Sequence, residues 1–460
     1  MQGFTQIQSS IDQVQQSAIK LTKGLRRHPP GYPPGPSGDS AASMLLDPLG
    51  FLQNVTSTYQ PVVGLIMGGE EVILVADPAA AQQVLIDKAA IYKKEGTAFF
   101  PGSSLAGNGL LVSDGAVWQR QRQLTNPGFR RAAVETYAAA MCSATGHMLA
   151  EVWSQSGVRD VYADFNELTL NITTNALFGV DMSSSQALGI SEAVRVAFEF
   201  SSQRAALGFA IPEWLPTPNN LQYHAAVSQL DSAVYGIIED RKQQLPALQA
   251  SPQHSQCLLD NLLQSKDENG EGLSMQSLRD QLMTLLVAGQ ETSAILLGWT
   301  TAFLAQYPEV QALAAAEVQQ VLQGQAPTPN SIKQLPYLEA VILETLRLRP
   351  PAYIVGRCAA EADDLAGYHV QPGTTILQSM KPGGINPLSG MGPNGAYIPF
   401  GAGPRNCIGT GFAMMEAMLV TSAALQKFVF EPTSPSQGMP EAQPRITLRP
   451  IAVEVALKLR

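Results

Sequence analysis

From Asp114 to about Lys427 apolar positions recur mostly at a period of 3.6, interrupted by Pro/Gly breaks and by one polar run, Ser265-Lys266-Asp267-Glu268-Asn269-Gly270-Glu271-Gly272. This rhythm predicts a body built largely of helices, with a loop at the polar run. Upstream, Val62 to Met67 and Val72 to Val75 flank Gly68-Gly69 and predict a β-hairpin. Asp77 ahead of Pro78 predicts a capped helix start, since aspartate accepts orphan amides and proline fits the first turn. Near the end, Arg445 to Pro450 and Ile451 to Leu459 alternate and predict a closing strand pair. No internal repeat and no boundary between two cores is visible. The pattern predicts one large domain, mainly α with a small β region, over 37–460.

A long helix is expected from about Ser274 to Phe303. At a rise of 1.5 Å per residue it would be roughly 45 Å long, enough to cross the domain. Leu282 to Phe303 is dense in apolar residues, but Gln290, Glu291, Thr292 and Ser293 interrupt it, which a membrane span of about 20 residues tolerates poorly. A buried helix fits better.

Ahead of the body, Met1 to Lys20 carries six Gln and three Ser and encodes no transmembrane anchor. Phe4, Ile7, Ile11, Val14 and Ile19 could form one apolar face beside Lys20, Lys23, Arg26 and Arg27, so the leader 1–27 is compatible with peripheral membrane contact or with a solvated end. The run from His28 to Pro36 holds five prolines and reads as an extended hinge, because proline lacks the amide a helix needs.

Composition narrows the partners. The 460 residues are 45% hydrophobic and 15% charged, ample for a core. A net charge of −9 argues against nucleic acid, which demands a basic face. Four widely spaced cysteines give neither a disulfide ladder nor a Cys-x-x-Cys zinc site. A cytoplasmic or organelle-soluble location is expected, not secretion.

One cysteine has special surroundings. Phe400-Gly401-Ala402-Gly403-Pro404-Arg405-Asn406-Cys407-Ile408-Gly409 sets Cys407 in a glycine-rich loop before an apolar helical run. Loop and helix-start amides stabilise negative charge, so Cys407 is expected to stay ionised. A dinucleotide loop is the rival reading of Gly401-Ala402-Gly403; it fails because Asn406 takes the third glycine position and no βαβ unit follows.

Phe400, Gly403, Arg405, Cys407 and Gly409 resemble the Phe-x-x-Gly-x-Arg-x-Cys-x-Gly haem-ligand loop of cytochrome P-450 enzymes. The resemblance covers nearly all of Tyr32 to Arg460. It implies haem b, with the Cys407 sulfur as the axial iron ligand that favours O–O cleavage. Ala288-Gly289-Gln290-Glu291-Thr292 looks like the family's oxygen-side element. There the resemblance implies that Gly289 leaves room for dioxygen and substrate, while Glu291 and Thr292 relay protons. The residues alone allow a blander reading of Thr292, a hydroxyl bonded back to a carbonyl one turn earlier. Trp118, Arg122, Arg357 and Arg405 match positions that neutralise the haem propionates. Glu344 and Arg347 match the buried Glu-x-x-Arg pair that braces the core. Arg120, Arg130 and Arg131 add positive charge on the segment that faces a reductase or ferredoxin, through which NAD(P)H electrons would arrive.

A pocket lined by Phe99, Phe100, Leu105, Ala288 and Ile451-Ala452-Val453 would suit a small apolar substrate such as a fatty acid or terpenoid. The pattern breaks once. Ile376-Leu377-Gln378-Ser379-Met380 runs into Lys381-Pro382-Gly383-Gly384 and reaches Phe400 without the family's Pro-Glu-Arg-Phe-like segment, so the arginine that locks the Glu-x-x-Arg pair lacks a counterpart. Two functions remain open: a haem-dependent monooxygenase hydroxylating an apolar molecule with dioxygen, or a non-catalytic, degenerate haem-binding protein of the same fold.

Overall fold

Glycine decides the first turn of the body. Gly68 and Gly69 both have positive φ, 58° and 76°, a conformation open to glycine without a Cβ penalty. Both amides donate to the Asp39 carboxylate, at 3.1 and 2.8 Å. The expected hairpin forms around this turn, with β1 at Val62–Met67 and β2 at Glu70–Val75. The computed structural model describes residues 31–59, 62–95, 104–154, 157–181, 184–207, 213–249, 257–379 and 397–460. The leader, the first residues of the hinge, Phe99, Phe100 and the shortened stretch before Tyr397 lie outside them.

Two short helices, α1 (Ala41–Leu46) and α2 (Pro48–Thr58), precede the hairpin. After it, Asp77 caps α3 (Pro78–Gln82) by accepting the Ala80 amide at 2.7 Å, as expected. This helix runs into a single π-turn at Gln83–Asp87 and then β3 (Tyr92–Lys93). The helical body follows: α4 (Gly115–Thr125), α5 (Arg131–His147), α6 (Val161–Phe178), α7 (Ser184–Leu207), α8 (Pro218–Gln249), α9 (Leu258–Gln264), α10 (Met275–Gln306), α11 (Pro308–Leu322), α12 (Pro336–Leu348) and α13 (Thr410–Lys427). The polar run lies in the loop before α10, where Asp267 accepts the amides of Asn269 and Glu271.

Strands β5 (Ile354–Ala359) and β8 (Thr375–Ser379) complete a sheet with order β1-β2-β8-β5-β3. A small hairpin of β6 (Asp363–Leu365) and β7 (Tyr368–Val370) lies between them in sequence. The tail departs from expectation: its two alternating halves do not pair with each other. Strand β11 (Leu448–Pro450) pairs with β10 (Ala442–Pro444), whereas β12 (Glu454–Leu459) lies between β4 (Gly157–Asp160) and β9 (Phe428–Pro432). Between them Ile451 N–H donates to Glu441 O and Val453 N–H to the Asp160 carboxylate, so long-range bonds send the halves to different sheets. Alternation marks strands, not partners.

Helix α10 organises the core. Ser274 caps it by accepting the Ser277 amide at 3.1 Å. By length and composition it is the one helix among the described residues that could cross a membrane, but 83% of its apolar window is buried in the fold, as a core helix should be. Helix α6 crosses it closely: Thr169 Oγ1 donates to Gln290 O at 2.8 Å. A Cβ added to Gly289 would stand 3.1 Å from Thr173 Oγ1 of α6. The missing side chain of Gly289 thus lets α10 and α6 approach closely at this point.

Candidate active site

The cysteine loop is folded by its glycines. Gly401 and Gly403 take φ of 71° and 68°, and a Cβ on Gly403 would fall 1.9 Å from Leu85 O in the π-turn. Neither side-chain space nor backbone geometry allows another residue at 403. The Cys407 amide donates to Phe400 O at 2.8 Å, which closes the loop, and Thr410 Oγ1 donates to Cys407 O at 2.9 Å. Arg122 grips the loop from α4, donating to Asn406 O at 2.9 Å and to Asn406 Oδ1 at 3.0 Å. A Cβ on Gly409 would lie 3.8 Å from Cys407 Sγ, so glycine keeps that side of the sulfur open.

Cys407 keeps accessible surface although protein crowds it at longer range, as expected of a group on the wall of an internal hollow. Burial pushes its thiol pKa up, outweighing the Gly409 amide, the Thr410 hydroxyl and Arg122, which pull it down. The expectation that loop amides alone keep Cys407 ionised is thus not met. A thiolate here needs a cation beside the sulfur, which an iron centre provides. Among the described residues no group of three or more His, Cys, Asp and Glu could hold a metal ion.

Helix α10 has its own opening. Leu278 to Ala305 is buried almost throughout, yet Ala288 is exposed and Gly289 and Thr292 are partly so. Ala288 and Thr292 are one turn apart on one face. The Thr292 hydroxyl donates back to Ala288 O at 2.6 Å, which is the local bond the sequence allowed. Glu291 points elsewhere. Its Oε1 accepts from Thr447 Oγ1 at 3.0 Å, its Oε2 has no partner, and burial raises its pKa against the pull of nearby Arg449. No hydrogen bond joins Glu291 to Thr292 in this conformation.

The predicted cations gather partly as expected. The Arg405 guanidinium lies 4.3 Å from the Trp118 ring centroid, donates to Ser113 O at 2.6 Å and pairs with Asp114. Its buried Nη1 has no partner. Arg357 is buried and donates to Gly356 O at 2.8 Å; burial first, then repulsion from Arg405, lowers its pKa to about 10. Lys94 joins them, lowered to about 7 by burial and then by Arg357 and Arg405, with Asp114 opposing. Gln378 pairs in register with Val355, on the sheet face that carries Arg357, and neither of its amide atoms has a partner. Arg405, Arg357 and Lys94 thus lie around the Asp114 carboxylate, with Arg405 Nη1 and the Gln378 amide unpartnered beside them. This set fits a dianionic group such as the two haem propionates.

Other expectations shift. Arg347 donates to both Glu344 oxygens, at 2.7 and 2.6 Å, but Glu344 is 44% exposed, so the pair is not buried. Arg120 turns inward to Asp267 at 2.7 Å and to the carbonyls of Glu271 and Gly272, clamping the polar loop. It is thus engaged within the fold, while Arg130 and Arg131 stay exposed. Leu105 is buried, with its amide on Tyr223 Oη. Ile451 is exposed, and Val453 is buried beside Gly298, ten residues along α10 from Ala288. The proposed pocket wall is not assembled from these two.

Sequence reasoning missed Lys94, Asp114 and Gln378. Asp114 was visible only as the start of a helical stretch. Its part in the site comes from accepting the Lys94 and Glu95 amides at 2.8 and 2.6 Å while pairing with a residue near the other end of the chain.

The profile of the family described as Cytochrome P450 matches residues 46–387 and 382–456, two segments that meet at the shortened stretch. Among curated proteins, cyclooctatin synthase of Streptomyces melanosporofaciens is 30% identical over 90% of this chain and 93% of its own length. Cyclooctat-9-en-7-ol 5-monooxygenase of the same organism is 29% identical over 84% of this chain and 85% of its own. Pentalenene oxygenase of Streptomyces avermitilis is 28% identical over 92% and 94%. The non-catalytic alternative finds no support in these matches.

Proposed function

Because the chain belongs to the cytochrome P450 family, we propose that it is a haem-thiolate monooxygenase that hydroxylates a small apolar molecule, with a terpenoid as the favoured class. The observation that carries the reading is the lone Cys407 in its glycine loop, two residues from Arg405, whose buried Nη1 has no partner. The apolar Ala288 exposed in a buried helix and the oxygenase names of the relatives support the substrate class.

When bound, haem b supplies dioxygen activation, using electrons that NAD(P)H delivers through a reductase or ferredoxin. The chain's own residues prepare the site. Cys407 Sγ would ligate the iron as thiolate, with the Gly409 amide and Thr410 hydroxyl placed to stabilise its charge. Phe400, Gly403 and Gly409 hold the loop's shape. Arg405, stacked on Trp118, offers its unpartnered Nη1 to a propionate, with Arg357 and Lys94 beside it. Arg122 acts on the loop through Asn406 and on the thiolate through its charge. On the oxygen side, Thr292 Oγ1 can leave Ala288 O to hold a proton for the reacting oxygen. Glu291, whose carboxyl pKa is raised by burial, is the acid assigned to resupply it. Gly289 serves this element by letting α10 approach α6. The leader 1–27 and hinge 28–36 precede a catalytic domain at 37–460, and the location is cytoplasmic or organelle-soluble.

The test is a carbon-monoxide difference spectrum of the reduced chain. A thiolate-haem band that disappears in Cys407→Ala is expected. A normal band in the alanine variant, or imidazole ligation in fully loaded wild type, would overturn the assignment.

A further inference from the structure

Two acids among the described residues have no accessible surface: Asp260, which pairs with Arg241, and Glu416, which plays no part in the chemistry above. Glu416 lies on α13, nine residues after Cys407, with no accessible surface. Its Oε2 accepts from Ser293 Oγ of α10 at 2.5 Å, its Oε1 has no partner, and no cation offsets its burial. Burial without a counter-charge pushes the carboxyl up to about 8, so it is neutral at ordinary pH. A nonpolar side chain of similar size would satisfy such a place at lower cost. The carboxyl is therefore explained by what it holds.

It holds Ser293, the residue after Thr292. Successive helix residues point about 100° apart, so fixing Ser293 toward α13 also fixes where Thr292 and, one turn earlier, Ala288 point. The same α13 begins three residues after Cys407. We propose that Glu416 is a positioning residue: through Ser293 it locks the rotation of α10 against the helix that carries the cysteine loop, and so sets the bearing of the Ala288–Thr292 opening. The inference rests on the monooxygenase reading. It adds an acid that acts by hydrogen-bonded shape and by neither ligation nor proton supply.

The test uses haem-loaded Ser293→Ala, Glu416→Leu and Glu416→Gln. Three readouts are the carbon-monoxide band for loading, the C–O stretching frequency of the carbon-monoxide complex for polar groups on the open side, and peroxide released per NAD(P)H. Ser293→Ala and Glu416→Leu should keep the band, shift the stretch and raise peroxide roughly tenfold, the lower end of what outer residues of metal sites are worth. Glu416→Gln, neutral and of the same shape, should stay close to wild type. An unchanged stretch in Ser293→Ala overturns the proposal, and so does Glu416→Gln behaving like a loaded Glu416→Leu. If Glu416→Leu fails to take up haem, Ser293→Ala alone decides. A wild-type chain without any band overturns the monooxygenase reading itself, which keeps the two failures apart.

Discussion

Asp114 and Arg405 form a direct ion pair between the start of α4 and the cysteine loop, and both side chains are nearly buried, at 13% and 12% exposure. Asp114 also accepts the Lys94 and Glu95 amides, so one carboxylate ties three parts of the chain together. Its charge favours the protonated form of Lys94 and opposes the repulsion at Arg357.

Replacing Asp114 by Asn should therefore cost the haem-free protein about 3–5 kcal/mol, the usual consequence of stranding one member of a buried pair. Haem-loaded protein should lose less, because propionates supply negative charge to the same cations. Urea unfolding with and without haem measures both; equal losses would argue against propionates at this cluster.

Gly289→Ala should destabilise through contact with Thr173, whose Oγ1 would lie 3.1 Å from the new Cβ. Overpacking costs about 1–3 kcal/mol, reduced by up to ~1 kcal/mol of better helix propensity. Thr173→Ala in the same chain should restore the thermal midpoint. If Gly289→Ala instead keeps its midpoint and loses coupling, the space-for-oxygen expectation holds.

Thr292→Ala removes a hydroxyl whose one bond is to its own helix, so folding stability should change by less than about 0.5 kcal/mol. Product formation should nevertheless fall by about 10²-fold, the low end for a lost proton-transfer group, with electrons diverted to peroxide. Product and peroxide measured together check this, and unchanged coupling would remove Thr292 from the reaction.

Glu416 gives a pH signature. Folded, it keeps its proton to about pH 8; unfolded, it releases it near 4.5. Between those values the native chain binds the extra proton, so this group's contribution makes stability fall as pH rises, by up to ~1.4 kcal/mol per unit. Glu416→Gln should flatten the fall in denaturation midpoints across that window. An identical slope would show that the carboxyl ionises normally.

Much of the site was legible because it is local. The cysteine loop, the Ala288–Thr292 element and Asp77-Pro78 at a helix start are short patterns in which neighbours in sequence act together. The long helix was expected from about Ser274 and begins at Met275 with Ser274 as its cap. What stayed hidden depends on contacts between distant segments. The close approach of Gly289 is to Thr173 on α6, the partner of Glu291 is Thr447, and the tail strands are parted by bonds to Glu441 and Asp160. The sign of the Cys407 shift was also misread, because amide donors can be seen in a motif while desolvation cannot.

The seat of Gly403 on Leu85 carries a lesson about biosynthesis. A ribosome releases residue 85 more than three hundred positions before it releases 403, and translation at roughly 5–20 residues per second puts tens of seconds between them. Throughout that interval the early turn has no tenant. On the haem-thiolate reading, cofactor capture is then a late event, and nascent chains truncated before Phe400 should emerge colourless.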